Sequence, residues 1–407
     1  MGNALNGVRV IDFTEGMMGS LASVFLGDFG AEIIKLETHE GDPYRNLDSA
    51  ARLPKANWNY YFEYCNRNKK SIDVNPDTDK GKEIVYELVK QANVFVTNLT
   101  GQKLHGLDYE TLSKLNPGLV YAVGSACGPN GPDTDMPPIE ELVYSRVGMT
   151  CTIGEPGYPP VMTRLGEPVT AVHLAYGIML ALFHQKRTGE GQRVDASLLG
   201  SDINLSGLIL QTYLGLGAEE RKKVSKGLLM PTGRLGQGNP LLITYKFKNK
   251  WIYLLLLQPM RYWPNFCKLM GIEHLENDPR FNTIENMCFK HNNELVAIID
   301  EIAAKKTITK EWMKQWDEAG MIYQVLQDFE EISVDSQALE NRFIIDVDHP
   351  TEGKIKMIGF PVQMVKTPAR LARLAPALGE HTVEVLVDSL GYTLDEITQL
   401  KKEKVIG

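Results

Sequence analysis

From Val169 to Phe183 every residue except Thr170 and His173 is apolar or small. A run that is apolar nearly all round reads as a helix buried in a core, and the remaining elements must then be layered against it. Leu165-Gly166-Glu167-Pro168 leads into it and Thr188-Gly189 closes it. Pro168 biases Glu167 towards an extended conformation and suits the first helical position, where its missing N–H is not needed. Glu167 is therefore expected where the helix begins, facing free backbone N–H groups and the positive end of the dipole. Two readings of Glu167 follow: an acid that merely complements the helix end, or a positioned, reactive carboxylate.

The chain has 407 residues, of which 43% are hydrophobic, enough for a core in two or more domains. A net charge of −8 without a basic run argues against nucleic acid as a partner. The five cysteines, Cys65, Cys127, Cys151, Cys267 and Cys288, are odd in number and contain no CxxC pair. They suit neither a zinc site nor a disulfide framework, and predict reduced thiols in the cytoplasm. The opening MGNALNGVRVIDF has neither the basic start nor the apolar core of a signal peptide. Asn6 stands where a myristoylation signal has Ser or Thr. Val169–Phe183 is too short to span a bilayer, so no membrane partner is expected.

Along the chain, Gly7–Phe13 reads as a strand, Ser20–Phe29 as a helix and Ala31–Glu37 as a second strand, a βαβ unit with parallel pairing. Gly16, Gly19 and Glu37 invite a dinucleotide reading, but the fingerprint lacks its third glycine, and a plain structural βαβ unit is the stronger reading. Arg45, Arg67, Lys69 and Lys70 form a local cationic group, read either as a phosphate site or as a solvated turn of charges. Lys80–Gln91 is an amphipathic helix, Ala92–Asn98 and Leu119–Gly124 are strands, and Asp202–Gly217 is helix-like. Leu242–Phe247 and Trp251–Leu257 read as a hairpin, with helices at Tyr262–Met270, Asn292–Lys305, Lys310–Glu318 and Asp328–Asn341 and strands at Phe343–Val347 and Lys354–Phe360.

The segments LGE, HLAYGIMLAL and RTGEGQRVDASLL resemble the core of the class III (CaiB/BaiF-type) coenzyme A transferases. The opening VRVIDFT, the landmarks GDPYR and NRNKKSI, the loop GPNGPDTDMP and the ending LGEHTVEVLVDSLGY carry the resemblance from about residue 7 to the C-terminus. It implies an α/β protein with a large Rossmann-like parallel-sheet domain, formed by residues 1–205 and 340–407. Residues 227–325 form a smaller mixed α+β domain, joined through linkers 206–226 and 326–339. It also implies an interlocked homodimer, or a heteromer with a paralogue, acting on acyl-CoA and small carboxylic acids, with coenzyme A as substrate and no permanently bound cofactor.

Within the resemblance, Glu167 occupies the position of the family's nucleophilic Asp, and Glu140 that of an acid or base partner. Racemases of the superfamily carry a His-Asp pair where this chain has Ile139-Glu140, which argues against α-proton chemistry. CoA contacts fall on Met17, Thr38, Arg45, Lys69, Lys70, Asn98 and Lys103, and on the mobile loop Gly236-Gln237-Gly238. Met17 replaces a common Gln, Thr38 a common Arg, and the Asn98–Gly106 segment is short for the family. The chemistry implied is covalent transfer of CoA through the carboxylate. The overall pattern is nearest to transferases acting on aryl or branched 2-hydroxy acids. A non-catalytic subunit that binds acyl-CoA and, more remotely, an NAD(P) enzyme are the alternatives.

Overall fold

The computed structural model describes residues 2–49, 59–151, 159, 161–223 and 238–407. Six short runs become the strands β1 (Arg9–Phe13), β2 (Glu32–Glu37), β3 (Lys69–Asp73), β4 (Val94–Thr97), β5 (Val120–Ser125) and β6 (Gln192–Ser197). They form one sheet in the order β3-β2-β1-β4-β5-β6, parallel throughout. Val10, Ile11, Val94 and Phe95 are fully buried, as expected of parallel strands covered on both faces. The chain builds outwards from β1 through β2 to β3, then returns to place β4 on the other side of β1. That reversal is a topological switch point, and the crevice beyond the strands' carboxyl ends is where open α/β sheets bind ligands.

Helices cover the sheet in two layers. On one side lie α1 (Met18–Gly27) and α6 (Gly166–Thr188), whose Leu21, Val24, Leu174 and Ile178 share a core with β1, β4 and β5. On the other lie α3 (Asp79–Lys90), α4 (Tyr109–Leu115), α15 (Thr382–Leu390) and α16 (Leu394–Lys402), packed through Ile84, Leu112, Leu386 and Leu400. The shorter α2 (Tyr60–Asn66), α5 (Glu140–Tyr144) and α7 (Leu198–Leu205) complete this unit, together with the antiparallel pair β10 (Ile344–His349) and β11 (Gly353–Ile358). By contact the unit comprises Met1–Val147, Thr163–Gly207 and Ser336–Gly407.

The second unit, Gly148–Met162 with Leu208–Asp335, has its own core around Trp263, Phe266 and Trp316. The hairpin β7 (Thr244–Lys246) and β8 (Trp251–Leu254) pairs with β9 (Tyr323–Val325), flanked by α10 (Pro259–Met270), α11 (Asn292–Ala303) and α12 (Lys310–Glu318). The segment expected as a linker, 206–226, carries α8 (Gly207–Gly215) and α9 (Ala218–Lys223). Asp328–Asn341 is not one helix but two, α13 (Phe329–Ile332) and α14 (Ser336–Glu340). The break falls where the Ser333 hydroxyl bonds the Glu330 carbonyl and competes with the helical ladder.

Two expectations about the apolar run are corrected. The helix α6 spans 23 residues and starts at Gly166, so Pro168 is its third residue and its length alone would cross a bilayer. Nor is it buried all round. Ala171, Leu174 and Ile178 lie in the core, while Val172, Tyr176, Leu180 and Phe183 on the opposite face are half or more exposed.

Candidate active site

The turn between β1 and α1 is built for close approach. Gly16 takes φ +75°, a conformation that favours glycine. Asn98, at the end of β4, clamps the turn by accepting the Glu15 N–H at 2.9 Å and donating to the Glu15 carbonyl at 2.7 Å. Adjacent strands thereby fix the direction in which the first N–H groups of α1 point. Met17, the N-cap residue of α1, makes no capping bond with its own side chain.

At the start of α6 the cap comes from a distant carboxylate. Glu140 of α5 accepts the Gly166 N–H at 2.8 Å and the Glu167 N–H at 3.4 Å. A Cβ at Gly166 would stand 2.9 Å from Asp202 Oδ1 and 3.3 Å from Glu140 Cγ, so a side chain there would have to push these groups aside. The Glu167 side chain faces the start of α1, where the backbone N–H groups of Met17 and Met18 favour its charged form. Burial, followed by the charge of Glu140, pushes the Glu167 carboxyl up to about 7, against the pull of those two N–H groups.

Glu167 lines a cleft of about 400 Å³ with Met17, Met18, Tyr44, Pro137 and Pro138. A cavity of about 850 Å³ lies beyond the carboxyl ends of β1, β2 and β4 and is lined by Thr38, His39, Gly41, Gln102, Lys103 and His105 among others. Glu15, Pro43, Leu99 and Lys103 line both, so the two spaces adjoin at the switch point.

The structure thus brings Met17, Asn98, Lys103, Glu140 and Glu167 to one place and sets Thr38 in the adjoining cavity. The four cations of the expected phosphate cluster do not converge. Lys69 is fully buried and spends its three donors on Asp12, the Ser20 carbonyl and Asn66. Arg67 is bidentate to buried Asp28, and Lys70 lies between Glu32 and Glu384. Arg45 is bidentate to Glu37 and sits 3.9 Å over the Phe62 ring. These contacts hold β2, β3 and α2 together. The basic side chains that line the large cavity are Lys103, His39 and His105, facing Glu15, Asp73 and Asp77. Gly236 and Gln237 lie outside the described residues. Gly238 belongs to the smaller unit, where its N–H donates to Cys288 and its carbonyl accepts from Asn292.

Sequence reasoning missed the backbone of Met18, the ring of Tyr44 and the carboxyl of Asp202. A backbone donor leaves no mark in a sequence, but an acid inside the apolar stretch Leu198–Leu205 is a visible anomaly.

A doubly wound parallel sheet with a half-buried carboxylate facing a helix N-terminus at its switch point defines an α/β protein with a ligand crevice at the carboxyl ends of its strands. The comparisons make this specific. The model of CoA-transferase family III matches residues 5–382. The chain is 32% identical to the (R)-2-hydroxy-4-methylpentanoate CoA-transferase of Clostridioides difficile, covering 99% of each. It is also 32% identical to the cinnamoyl-CoA:phenyllactate CoA-transferase of Clostridium sporogenes, covering 99% of this chain and 97% of the relative. Its fold superposes on a CaiB/BaiF family protein from Brucella suis with a TM-score of 0.81 at 23% identity, covering 96% of this chain and all of that one. The chain belongs to CoA-transferase family III, a class of enzymes that move CoA between acyl-CoA and carboxylic acids.

Proposed function

We propose that this enzyme transfers CoA through a covalent intermediate on Glu167. The observation that carries the proposal is the Glu167 carboxylate, which faces the Met17 and Met18 N–H groups in a cleft that adjoins the switch-point cavity. A carboxylate oxygen attacks the thioester carbonyl, and the tetrahedral intermediate expels CoA thiolate to leave a mixed anhydride. The thiolate attacks the glutamyl carbonyl and expels the donor acid, giving a γ-glutamyl-CoA thioester. The acceptor carboxylate then runs both steps in reverse. In the glutamyl steps the oxyanion forms on Glu167 itself, within reach of the two α1 N–H groups that it already faces. Thr38 and Lys103, in the large cavity, are the side chains we assign to the CoA nucleotide.

The small cleft suits an apolar acyl group, since Met17, Met18, Tyr44, Pro137 and Pro138 form its walls. With the two relatives that act on 2-hydroxy-4-methylpentanoate and phenyllactate, this supports branched or aryl 2-hydroxy acids as substrates. A panel of acyl-CoA donors and acceptor acids, read by chromatography of the CoA esters, tests the assignment. Exchange is expected with branched and aryl 2-hydroxy acids, and transfer confined to dicarboxylates or short unbranched acids would contradict it. The four described cysteines are free thiols, which suits a reducing, cytoplasmic setting. The exposed face of α6 supports a homodimer, in which a second copy covers it.

A further inference from the structure

Behind Gly166, on the side away from the cleft, stands a carboxyl group that the chemistry above does not use. Asp202 of α7 is fully buried, and neither of its oxygens has a hydrogen-bond partner. Its Oδ1 and the Cγ of Glu140 both crowd the point where a Gly166 Cβ would stand, at 2.9 and 3.3 Å. Two acids therefore meet at one glycine inside the protein. The elements packed against α7 are α5, α6 and β6. Their titratable groups nearest this corner are Glu140 and Tyr144, Glu167 and His173, and the Arg193–Asp195 pair. His173 is engaged with the Ser201 hydroxyl at 2.9 Å, and Arg193 with Asp195 at 2.8 Å. The Tyr144 hydroxyl is buried without a partner. No cation among the described residues pairs with Asp202 or Glu140, and two adjoining carboxyls without one do not both ionise cheaply. Glu140 is committed as an acceptor to two N–H groups, whereas the Asp202 oxygens accept none. The proton then belongs on Asp202.

We infer that Asp202 is a positioning residue: it holds a proton and donates it to Glu140, which keeps the Glu140 carboxylate on the two amides that open α6. Burial and the Glu140 charge both push the Asp202 carboxyl up, to about 6. The bond gives an otherwise orphaned buried group its partner and steadies the backbone that carries Glu167. The effect on turnover rests on the covalent role of Glu167, whereas the shared proton does not.

The test separates the two. Infrared difference spectra of the intact protein, wild type minus Asp202→Asn at about pH 5, where an ordinary aspartate is ionised, should contain a protonated-carboxyl band lost in the variant. The titration midpoint of that band should move down in Glu140→Gln, which removes the neighbouring charge. Absence of the band, or a midpoint indifferent to Glu140→Gln, overturns the inference. For the positioning role, acyl-CoA labelling of Glu167 is measured at about pH 6, where Asp202 still holds its proton in part and a fraction of Glu167 is ionised; it should be about tenfold faster in Asp202→Asn, which keeps a donor, than in Asp202→Ala, a loss equivalent to one weak hydrogen bond. Asp202→Leu serves where the alanine variant does not fold. Equal labelling rates in the donor-bearing and donor-free variants overturn the positioning role. Failure of Glu167 to label in the wild type counts against the covalent reading instead and leaves the infrared result to decide Asp202.

Discussion

Glutamate in place of aspartate lengthens the arm by about 1.5 Å at the same Cα, and a displacement of about 1 Å at a reacting group costs on the order of 10²-fold in rate. Here the longer arm has a seat. It leaves the amides of its own helix to Glu140 and reaches the start of α1, where Met17 and Met18 supply N–H groups. In the proposed mechanism Glu167 must be ionised to attack, and its carboxyl is raised to about 7. Transfer is therefore expected to rise with pH through about 7 and to fall away on the acid side, as pH-rate profiles of the first transfer will show. A limb with its midpoint in the ordinary glutamate range would contradict the burial of this group. The same shift has a stability consequence of definite sign. A carboxyl raised in the folded state binds more protons folded than unfolded, so stability is lost as pH rises from the unfolded value towards about 7. Glu167→Gln removes that loss. Its melting temperature should exceed that of the wild type at pH above about 7 and match it near pH 4, the unperturbed carboxyl range.

At the scale of elements, α6 shows what was legible in the sequence and what was not. Its existence, its glycine stop and Glu167 at its beginning follow from local pattern, as do the strands around it. Its starting turn does not, because the cap is the side chain of Glu140 on another helix. The cationic cluster failed for a related reason. Arg67, Lys69 and Lys70 follow one another on or beside a strand, and alternate residues of a strand face opposite sides. Lys69 turns into the core towards Asp12, while Lys70 turns out towards Glu32 and Glu384. Sequence proximity therefore separated these charges instead of gathering them. The α5–α6–α7 corner carries its own prediction. In Gly166→Ala the new methyl meets the Asp202 carboxyl, and overpacking of this kind costs about 1–3 kcal/mol. A lower denaturant midpoint at unchanged slope is expected, and unchanged stability would show that the corner yields.

For the whole molecule, the fold is that of a CaiB/BaiF family protein, and the chain spans nearly all of the two relatives described. Tyr176 and Phe183 on α6 are each more than 60% exposed, too apolar a stripe to be left in water. Light scattering of the purified protein should give twice the 45.5 kDa of the chain, and a monomer at micromolar concentration would contradict the homodimer. The central claim is that Glu167 becomes covalently attached to CoA, and trapping tests it most directly. The enzyme is incubated with an acyl-CoA donor, quenched with borohydride or hydroxylamine, digested and analysed by peptide mass spectrometry. The expected result is a modification on Glu167 that vanishes, together with turnover, in Glu167→Ala. Turnover without any mark on Glu167, or an inert wild type in which Glu167→Asp restores transfer, would contradict the account.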